Sequence, residues 1–256
     1  MSSVHGKNRK LRAGVIGLGV GAQHARALGN REDLDLIVAC DLNGMRLDEV
    51  GKQFPGVELT TSWEEVVGEP ALDVVVVATH DGDHATHLLA ALQNEKHVFV
   101  EKPLCTTEGQ LREIRAALSS QPWLHISSNL VLRREPRFLE LRERILQGRL
   151  GTPFLLEGGY DYGRIHKLTD GWRGREVGYS VMHGGGIHLI DLLTWLKSGS
   201  TVEEVVAHGS CLASAGTGYA GRDLAHALLR FSDGALGRVT ANFACVTPHH
   251  HRVSVY

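Results

Sequence analysis

No run of residues in this sequence approaches the length of about 20 apolar residues that a membrane-spanning helix requires. There is no excess of charge of either sign. Lys and Arg number 27 against 29 Asp and Glu, a formal net charge of −2, which argues against binding to nucleic acid or to an anionic membrane surface. Cysteine is scarce: Cys40, Cys105, Cys211 and Cys245 are scattered, with no C-x-x-C pair. They read as reduced, buried thiols of a cytoplasmic protein rather than a disulfide frame. Repeats, low-complexity tracts and flexible linkers are also missing. A composition of 43% hydrophobic and 22% charged residues is not that of a disordered chain. The basic residues Lys7, Arg9, Lys10 and Arg12 precede the apolar stretch Ala13–Ala22 and imitate a secretion signal. Four of those ten residues are glycine, and no longer hydrophobic segment follows, so the stretch is read as part of the fold.

What the chain has in quantity is glycine, 30 residues, and a regular alternation in its first half. Leu11–Ile16, Leu36–Cys40, Asp73–Thr79, His97–Val100 and Leu124–Ser127 read as buried strands. Helical patterns lie between them. Ser62-x-x-Glu65 and Thr107-x-x-Gln110 are capping boxes, and Asp83 is placed to cap a helix carrying Leu88, Leu89 and Leu92. Strand and helix alternating in this way predict a doubly wound parallel sheet over residues 1–126.

The second half, residues 127–256, reads as a separate α+β unit with a mainly antiparallel sheet. A helix runs from Pro136 to Gly148, and another from Ile187 to before Gly199. Strand-like runs occupy Pro153–Tyr162, Val202–Leu212, Ala225–Phe231 and Gly237–Val246, with Ser232-Asp233-Gly234 as a hairpin turn. His249-His250-His251 reads as a loop or strand-end feature.

Gly17-Leu18-Gly19-Val20-Gly21-Ala22 follows the first strand and opens a helix, matching G-x-G-x-x-G/A in its required context. Gly17 permits the tight turn, Gly19 lets backbone approach a pyrophosphate, and Ala22 keeps helix against sheet. The amides at the start of the helix face the phosphates. Asp41 ends the second strand, 24 residues after Gly17, where an acid accepts hydrogen bonds from the adenosine ribose. This is a Rossmann dinucleotide site, and Asp41 favours NAD over NADP by repelling a 2′-phosphate. Asp41 can alternatively be read as a turn or cap residue, and the nearby Arg46 is of the type that serves NADP.

Glu101-Lys102-Pro103 follows the fifth strand, and the proline biases Lys102 away from helical geometry. A lysine at the carboxyl edge of an open α/β sheet can donate to a substrate oxygen. At this point the sequence resembles the Gfo/Idh/MocA family, named after glucose–fructose oxidoreductase and inositol dehydrogenase. The resemblance covers nearly the whole chain. It rests on the glycine loop with His24, Val75–Thr79 followed by His84, Lys96-His97-Val98 running into Glu101-Lys102-Pro103, Gly148-Arg149-Leu150-Gly151, Trp172-Arg173, and His188-Leu189-Ile190-Asp191.

The resemblance implies a Rossmann domain followed by an α+β domain with an open-faced sheet. It implies reversible hydride transfer between nicotinamide and a hydroxyl-bearing carbon of a sugar, sugar derivative or cyclitol. Lys102 is then the catalytic lysine and His188 the proton-transferring histidine. Thr79, His80, His84 and Glu101 line the cofactor site with Gly17, Gly19, Val20, Gly21, Ala22, Asp41 and Lys102. Asp191, Trp172, Arg173 and Tyr162 are candidate substrate residues. His188 also has a local rationale: it opens a helix after Gly184-Gly185-Gly186, read as a loop that lets ligand approach, and a helix N-terminus favours neutral imidazole.

Two departures stand out. Family members commonly carry an aspartate four residues before the histidine, where this chain has Gly184. The chain also ends at Tyr256, inside a strand-like run, where members typically continue, so either the sequence is truncated there or the second domain is abbreviated. The dense group His80, Asp81, Asp83, His84 and His87 is read as cofactor-site lining, and no metal is expected. The expected protein is a cytoplasmic, NAD-dependent dehydrogenase. An open-faced sheet needs a cover, which predicts a homo-oligomer, dimer or tetramer. The alternatives are an NAD-using glycosidase or epimerase of the same fold, and a non-catalytic dinucleotide-binding regulator.

Overall fold

A computed structural model describes residues 9–176 and 178–256. The chain divides into two compact units, Met1–Asn129 and Leu130–Tyr256. Among the described residues no helix is long and apolar enough to cross a membrane.

In the first unit, strands β1 (Leu11–Ile16), β2 (Leu34–Cys40), β3 (Glu58–Thr60), β4 (Val74–Val77), β5 (His97–Val100) and β6 (Ile126–Ser128) form one parallel sheet in the order β3-β2-β1-β4-β5-β6. Its helices are α1 (Gly21–Gly29), α2 (Gly44–Gln53), α3 (Trp63–Gly68), α4 (His84–Gln93) and α5 (Glu108–Ser120). The central strands are apolar because both faces are covered. Val15 and Val76 pack with Ala25, Leu47 and Val50 on one side. Ile16, Val75 and Val77 pack with Leu88, Leu92 and Ile114 on the other. The short β3 was not among the expected strands. Glu58 and Leu59 are exposed and Thr60 half-buried, so the strand has no buried apolar run to reveal it.

Of the three expected caps, one forms in full. Thr107 and Gln110 make a reciprocal box at the start of α5. Ser62 accepts the Glu65 amide at 3.3 Å, but the Glu65 carboxylate accepts the Thr60 hydroxyl instead of completing the box. Asp83 occupies the N-cap position of α4 and makes no side-chain cap bond. Its backbone is helical, because a 3₁₀ turn over Asp81–Asp83 runs straight into α4, so the side chain is not aimed at the first amides.

The second unit contains α6 (Pro136–Leu146), β7 (Leu155–Asp161), α7 (His166–Thr169), α8 (Ile187–Leu196), β8 (Val202–Ser210), β9 (Leu224–Phe231), β10 (Leu236–Asn242) and β11 (His250–Val255). The sheet order is β11-β7-β10-β9-β8, with β7 and β10 parallel and the other neighbours antiparallel. Leu189, Leu192, Leu193 and Leu196 of α8 pack on Leu156, Val239, Ala241 and Phe231. Gly158 permits that approach, since a Cβ there would lie 2.9 Å from Leu189. Along the same strands the alternate residues are polar and ion-paired: Arg238 meets Glu157 at 2.7 Å, and Arg230 meets both Glu203 and Glu204.

The glycine run before His188 is not a loop. Met182–Gly186 forms a π-helical turn continuous with α8, and all three glycines are buried. A Cβ at Gly184 would meet the Tyr179 hydroxyl at 1.9 Å, and one at Gly185 the Tyr160 ring at 2.4 Å. Glycine is required here so that two aromatic rings can lie against the backbone. His188 therefore does not sit at an open helix N-terminus, and the dipole rationale for its neutrality does not hold in that form.

Candidate functional site

The glycine loop lies at the carboxyl end of β1. Gly17 has φ +89°, and a Cβ there would lie 2.5 Å from the Ala78 carbonyl oxygen, so both the turn and the packing demand glycine. Gly21 packs against Ala78, where a Cβ would come within 3.0 Å. Gly19 differs from both. A Cβ at Gly19 would meet only the Arg46 guanidinium, at 4.0 Å, so the space above it is open. Val20 makes no side-chain cap to α1, which leaves the helix N-terminus to be satisfied from outside. Open space over Gly19 and an uncapped helix start are what a pyrophosphate needs.

Asp41 holds this loop together. Its carboxylate accepts the Leu18 amide at 2.6 Å and the Asn43 amide at 2.8 Å, and it meets Arg46 at 3.3 Å. The turn role considered for Asp41 is thus real. It places the acid, buried, at the end of β2 beside the loop.

Lys102 follows β5 on the same sheet edge, joined to Pro103 by a cis peptide. The turn is fixed from behind by Glu101, whose buried carboxylate accepts from His24 at 2.7 Å, from Asn129 at 2.7 Å and from the Lys102 amide at 3.3 Å. Burial by itself would raise the Glu101 pKa. The hydrogen bonds from His24 and Asn129 and the charge of Lys102 outweigh it and hold the carboxyl below its ordinary value. His84 is almost fully buried on α4, with Nδ1 2.7 Å from the Pro103 carbonyl and Nε2 3.2 Å from the Thr79 carbonyl. It ties the segment after β4 to the Lys102 turn. The Thr79 hydroxyl pairs with His87 Nδ1 at 3.1 Å, and burial lowers the His87 pKa. His80 is exposed at the head of the 3₁₀ turn. Among the described residues no group of three or more His, Cys, Asp or Glu side chains could hold a metal.

In the second unit His188 is buried on α8. Its ring stacks on Tyr160 at 6.1 Å between centroids and 18° between planes, and His251 meets it edge-on at 5.9 Å. Tyr162 belongs to the same cluster, 5.4 Å from Tyr160 and 4.9 Å from His249. Trp172 and Arg173 lie in a short 3₁₀ turn. Arg173 sits over the Trp172 ring at 4.5 Å, and Trp172 meets Tyr179 edge-on at 6.3 Å. Asp191, one turn beyond His188, is engaged by Arg133 through two bonds of 2.7 and 2.5 Å. Sequence reasoning missed Arg133, His249, His251 and Asn129. None sits in a motif with chemical spacing, and only pairing across the fold brings each to its partner.

Residues 11–125 match the family model described as an oxidoreductase family with an NAD-binding Rossmann fold, and residues 138–256 match the GFO/IDH/MocA C-terminal domain. The chain belongs to the Gfo/Idh/MocA family. Myo-inositol 2-dehydrogenase of Thermotoga maritima is 30% identical over 254 residues, covering 96% of this chain and 72% of that protein. An NADP-dependent scyllo-inositol 2-dehydrogenase of Bacillus subtilis is 29% identical over 186 residues, covering 71% of this chain and 50% of that protein. The crystal structure of myo-inositol 2-dehydrogenase from Lactobacillus plantarum superposes with a TM-score of 0.88 at 21% identity, over 96% of this chain and 74% of that one. The chain thus spans about three quarters or less of these family members.

Proposed function

We propose that this Gfo/Idh/MocA chain is an NAD-dependent oxidoreductase that moves a hydride between nicotinamide and a hydroxyl-bearing carbon of a cyclitol or sugar. The observation that carries this reading is the convergence on one sheet edge of the open glycine loop, Asp41 and Lys102. The inositol dehydrogenases among its relatives support the substrate class. They do not favour the glycosidase, epimerase or regulator alternatives.

The residues fit a dinucleotide. Gly19, Val20 and the start of α1 face the pyrophosphate, while Gly17, Gly21 and Ala22 shape the turn around it. Asp41 accepts from the adenosine ribose, which supports NAD over NADP. Thr79, His80, His84 and Glu101 border the nicotinamide end, with His84 and Glu101 acting by holding the backbone on which Lys102 is mounted. When bound, the nicotinamide supplies the hydride acceptor. Lys102 donates a hydrogen bond to the reacting oxygen and stabilises the charge that develops there. His188 accepts the hydroxyl proton as general base. Tyr162, Trp172 and Arg173 offer aromatic faces and planar donors to a polyol, and Asp191 with Arg133 offers a polar pair. The protein acts in the cytoplasm as a homo-oligomer whose subunits cover the polar sheet face.

The test is a panel of inositol isomers and aldoses with NAD and NADP, followed at the NADH absorbance. NAD-dependent oxidation of a cyclitol is expected. Binding of NAD without hydride transfer to any polyol would leave the reading without support.

A further inference from the structure

In the second unit, α6 and β11 flank an open cleft of about 640 Å³, a volume in the range of small-molecule sites. Its charge is one-sided. Arg137 and Arg144 line it from α6 and Arg252 from β11, and among the described residues Glu140 is its only lining acid. Glu140 is already bound to Arg144 at 2.5 Å. Arg252 stands 3.3 Å from Asp161, a carboxylate it shares with His250. Arg137 has no carboxylate partner among the described residues.

Arg137 is nevertheless held in place. Its guanidinium lies 4.5 Å over the ring of Phe138, which is buried in the core of this unit. A guanidinium stacked on a fixed ring keeps its in-plane N–H donors available, and these match the paired oxygens of a carboxylate or phosphate. Phe138, with the half-buried Leu141 and Val253, also gives the cleft an apolar side. The lining therefore suits a molecule with a C–H face and an anionic group rather than a bare ion. The cleft adjoins the candidate base as well. His251 lines it, and the His251 ring meets His188 edge-on at 5.9 Å between centroids.

We propose that this cleft receives an anionic substituent of the substrate, so that the polyol this chain acts on carries a carboxylate or a phosphate bound by Arg137. The inference rests on the reading of His188 as general base and narrows the substrate class from polyol to acidic polyol. With the reacting hydroxyl at His188, the six-membered ring passes His251 and its far substituent enters the cleft. There the acidic group takes the donors of Arg137 and neutralises the cation that lacks an acid of its own. Charge-assisted bonds to a guanidinium are about twice as strong as neutral ones. A neutral inositol leaves Arg137 to water and gains nothing from it.

The test is calorimetric binding in the presence of NAD, with myo-inositol, myo-inositol 1-phosphate, D-glucose, D-glucuronate and inorganic phosphate as probes, followed by turnover of the same polyols. At least one acidic polyol should bind about tenfold or more tightly than its neutral parent, and Arg137→Ala should narrow that ratio about tenfold. Arg137 is exposed, so its loss leaves no buried gap. Arg137→Lys should keep part of the preference, because the charge stays and the fork is lost. Arg115→Ala, on α5 of the first unit, should leave the ratio unchanged. Equal affinity for acidic and neutral polyols, a ratio untouched by Arg137→Ala, or inorganic phosphate binding as tightly as the phosphorylated polyol overturns the proposal. Turnover separates the two readings. An acidic polyol bound through Arg137 and never oxidised leaves the cleft standing and removes the oxidoreductase reading, while oxidation of neutral inositol with no preference for charge does the reverse.

Discussion

Asp191 and Arg133 form a two-armed ion pair, with Nε 2.7 Å from one carboxylate oxygen and Nη2 2.5 Å from the other. The carboxylate is mostly buried and the guanidinium half-exposed, so the pair presents donors on its open side while its acid is already committed. Asp191 is therefore not an uncommitted acid beside His188. Arg133→Ala leaves a buried carboxylate without its charge-assisted bonds, a loss of about 1.5–3 kcal/mol in urea unfolding. It should also lower kcat/KM on the cyclitol at least about tenfold, since a uniform tenfold loss corresponds to about 1.4 kcal/mol of transition-state binding. Arg133→Lys should recover less than half of that loss, because the fork is replaced by a point charge.

Asp41 serves loop and ligand together. Asp41→Ala should weaken NAD binding by about tenfold or more in calorimetry, since the anchor of the Leu18 amide and the ribose acceptor are lost at once. Removing the acid should also narrow the gap between NAD and NADP, because Arg46 stays over Gly19 and no longer has a carboxylate partner at 3.3 Å. Arg46→Ala in the same background should reopen that gap. If NADP affinity is indifferent to Arg46, the guanidinium has no part in cofactor choice.

Lys102 is mounted on a turn held by Glu101, His24 and Asn129. Lys102→Ala should keep NAD affinity within a few fold and lower kcat by about 10²–10³, the usual cost of removing a preorganised donor to a developing oxyanion. Glu101→Gln should act more weakly on kcat, by loosening the turn. Wild-type turnover in Lys102→Ala would sink the assigned role.

Gly184 is sterically enforced. Gly184→Ala places a methyl 1.9 Å from the Tyr179 hydroxyl, so the π turn or the tyrosine must shift. Overpacking of this kind should cost about 1–3 kcal/mol in denaturant unfolding. The double variant Gly184→Ala with Tyr179→Ala should recover part of the loss that the first substitution causes. Additive losses would mean that the two residues do not compete for this volume.

Acid should destabilise the chain in a defined window. His87, His97, His249 and His251 all have folded pKa values below the ordinary histidine value, with burial the leading cause in each. The unfolded chain then binds more protons, so stability falls as pH drops from about 6.5 and continues to fall toward about 4, where folded His251 takes its proton. Glu101, held below its ordinary value, adds a further loss below about 4.5 in the same direction. Urea midpoints measured from pH 8 to pH 4 should decline, and His251→Phe should flatten part of the slope.

The local chemistry of the first unit was readable in one dimension. A run of four valines announces a strand covered on both faces, and G-x-G-x-x-G/A between strand and helix announces the phosphate turn. Thr107 with Gln110 announces a helix start. Each is a short-range constraint in which sterics, capping or burial acts within a few residues. The exposed edge strand Glu58–Thr60 escaped because its hydrogen bonds come from β2 and its side chains bury little. Asp83 misled because a cap depends on the backbone angle at one residue, and the 3₁₀ turn over Asp81–Asp83 set that angle.

The sequence by itself determined the Rossmann order of elements, the dinucleotide loop with Asp41 beside it, and the lysine and histidine motifs. It did so because these rest on glycine conformational freedom, periodic burial and fixed spacing. Only the tertiary structure decided that Gly184-Gly185-Gly186 is a buried π turn beneath Tyr160 and Tyr179. The same is true of Arg133 claiming Asp191 and of His251 standing against His188. Those contacts join residues 58 and 63 positions apart, and no local rule of packing or hydrogen bonding operates over such a separation until strand register and helix docking have brought them together.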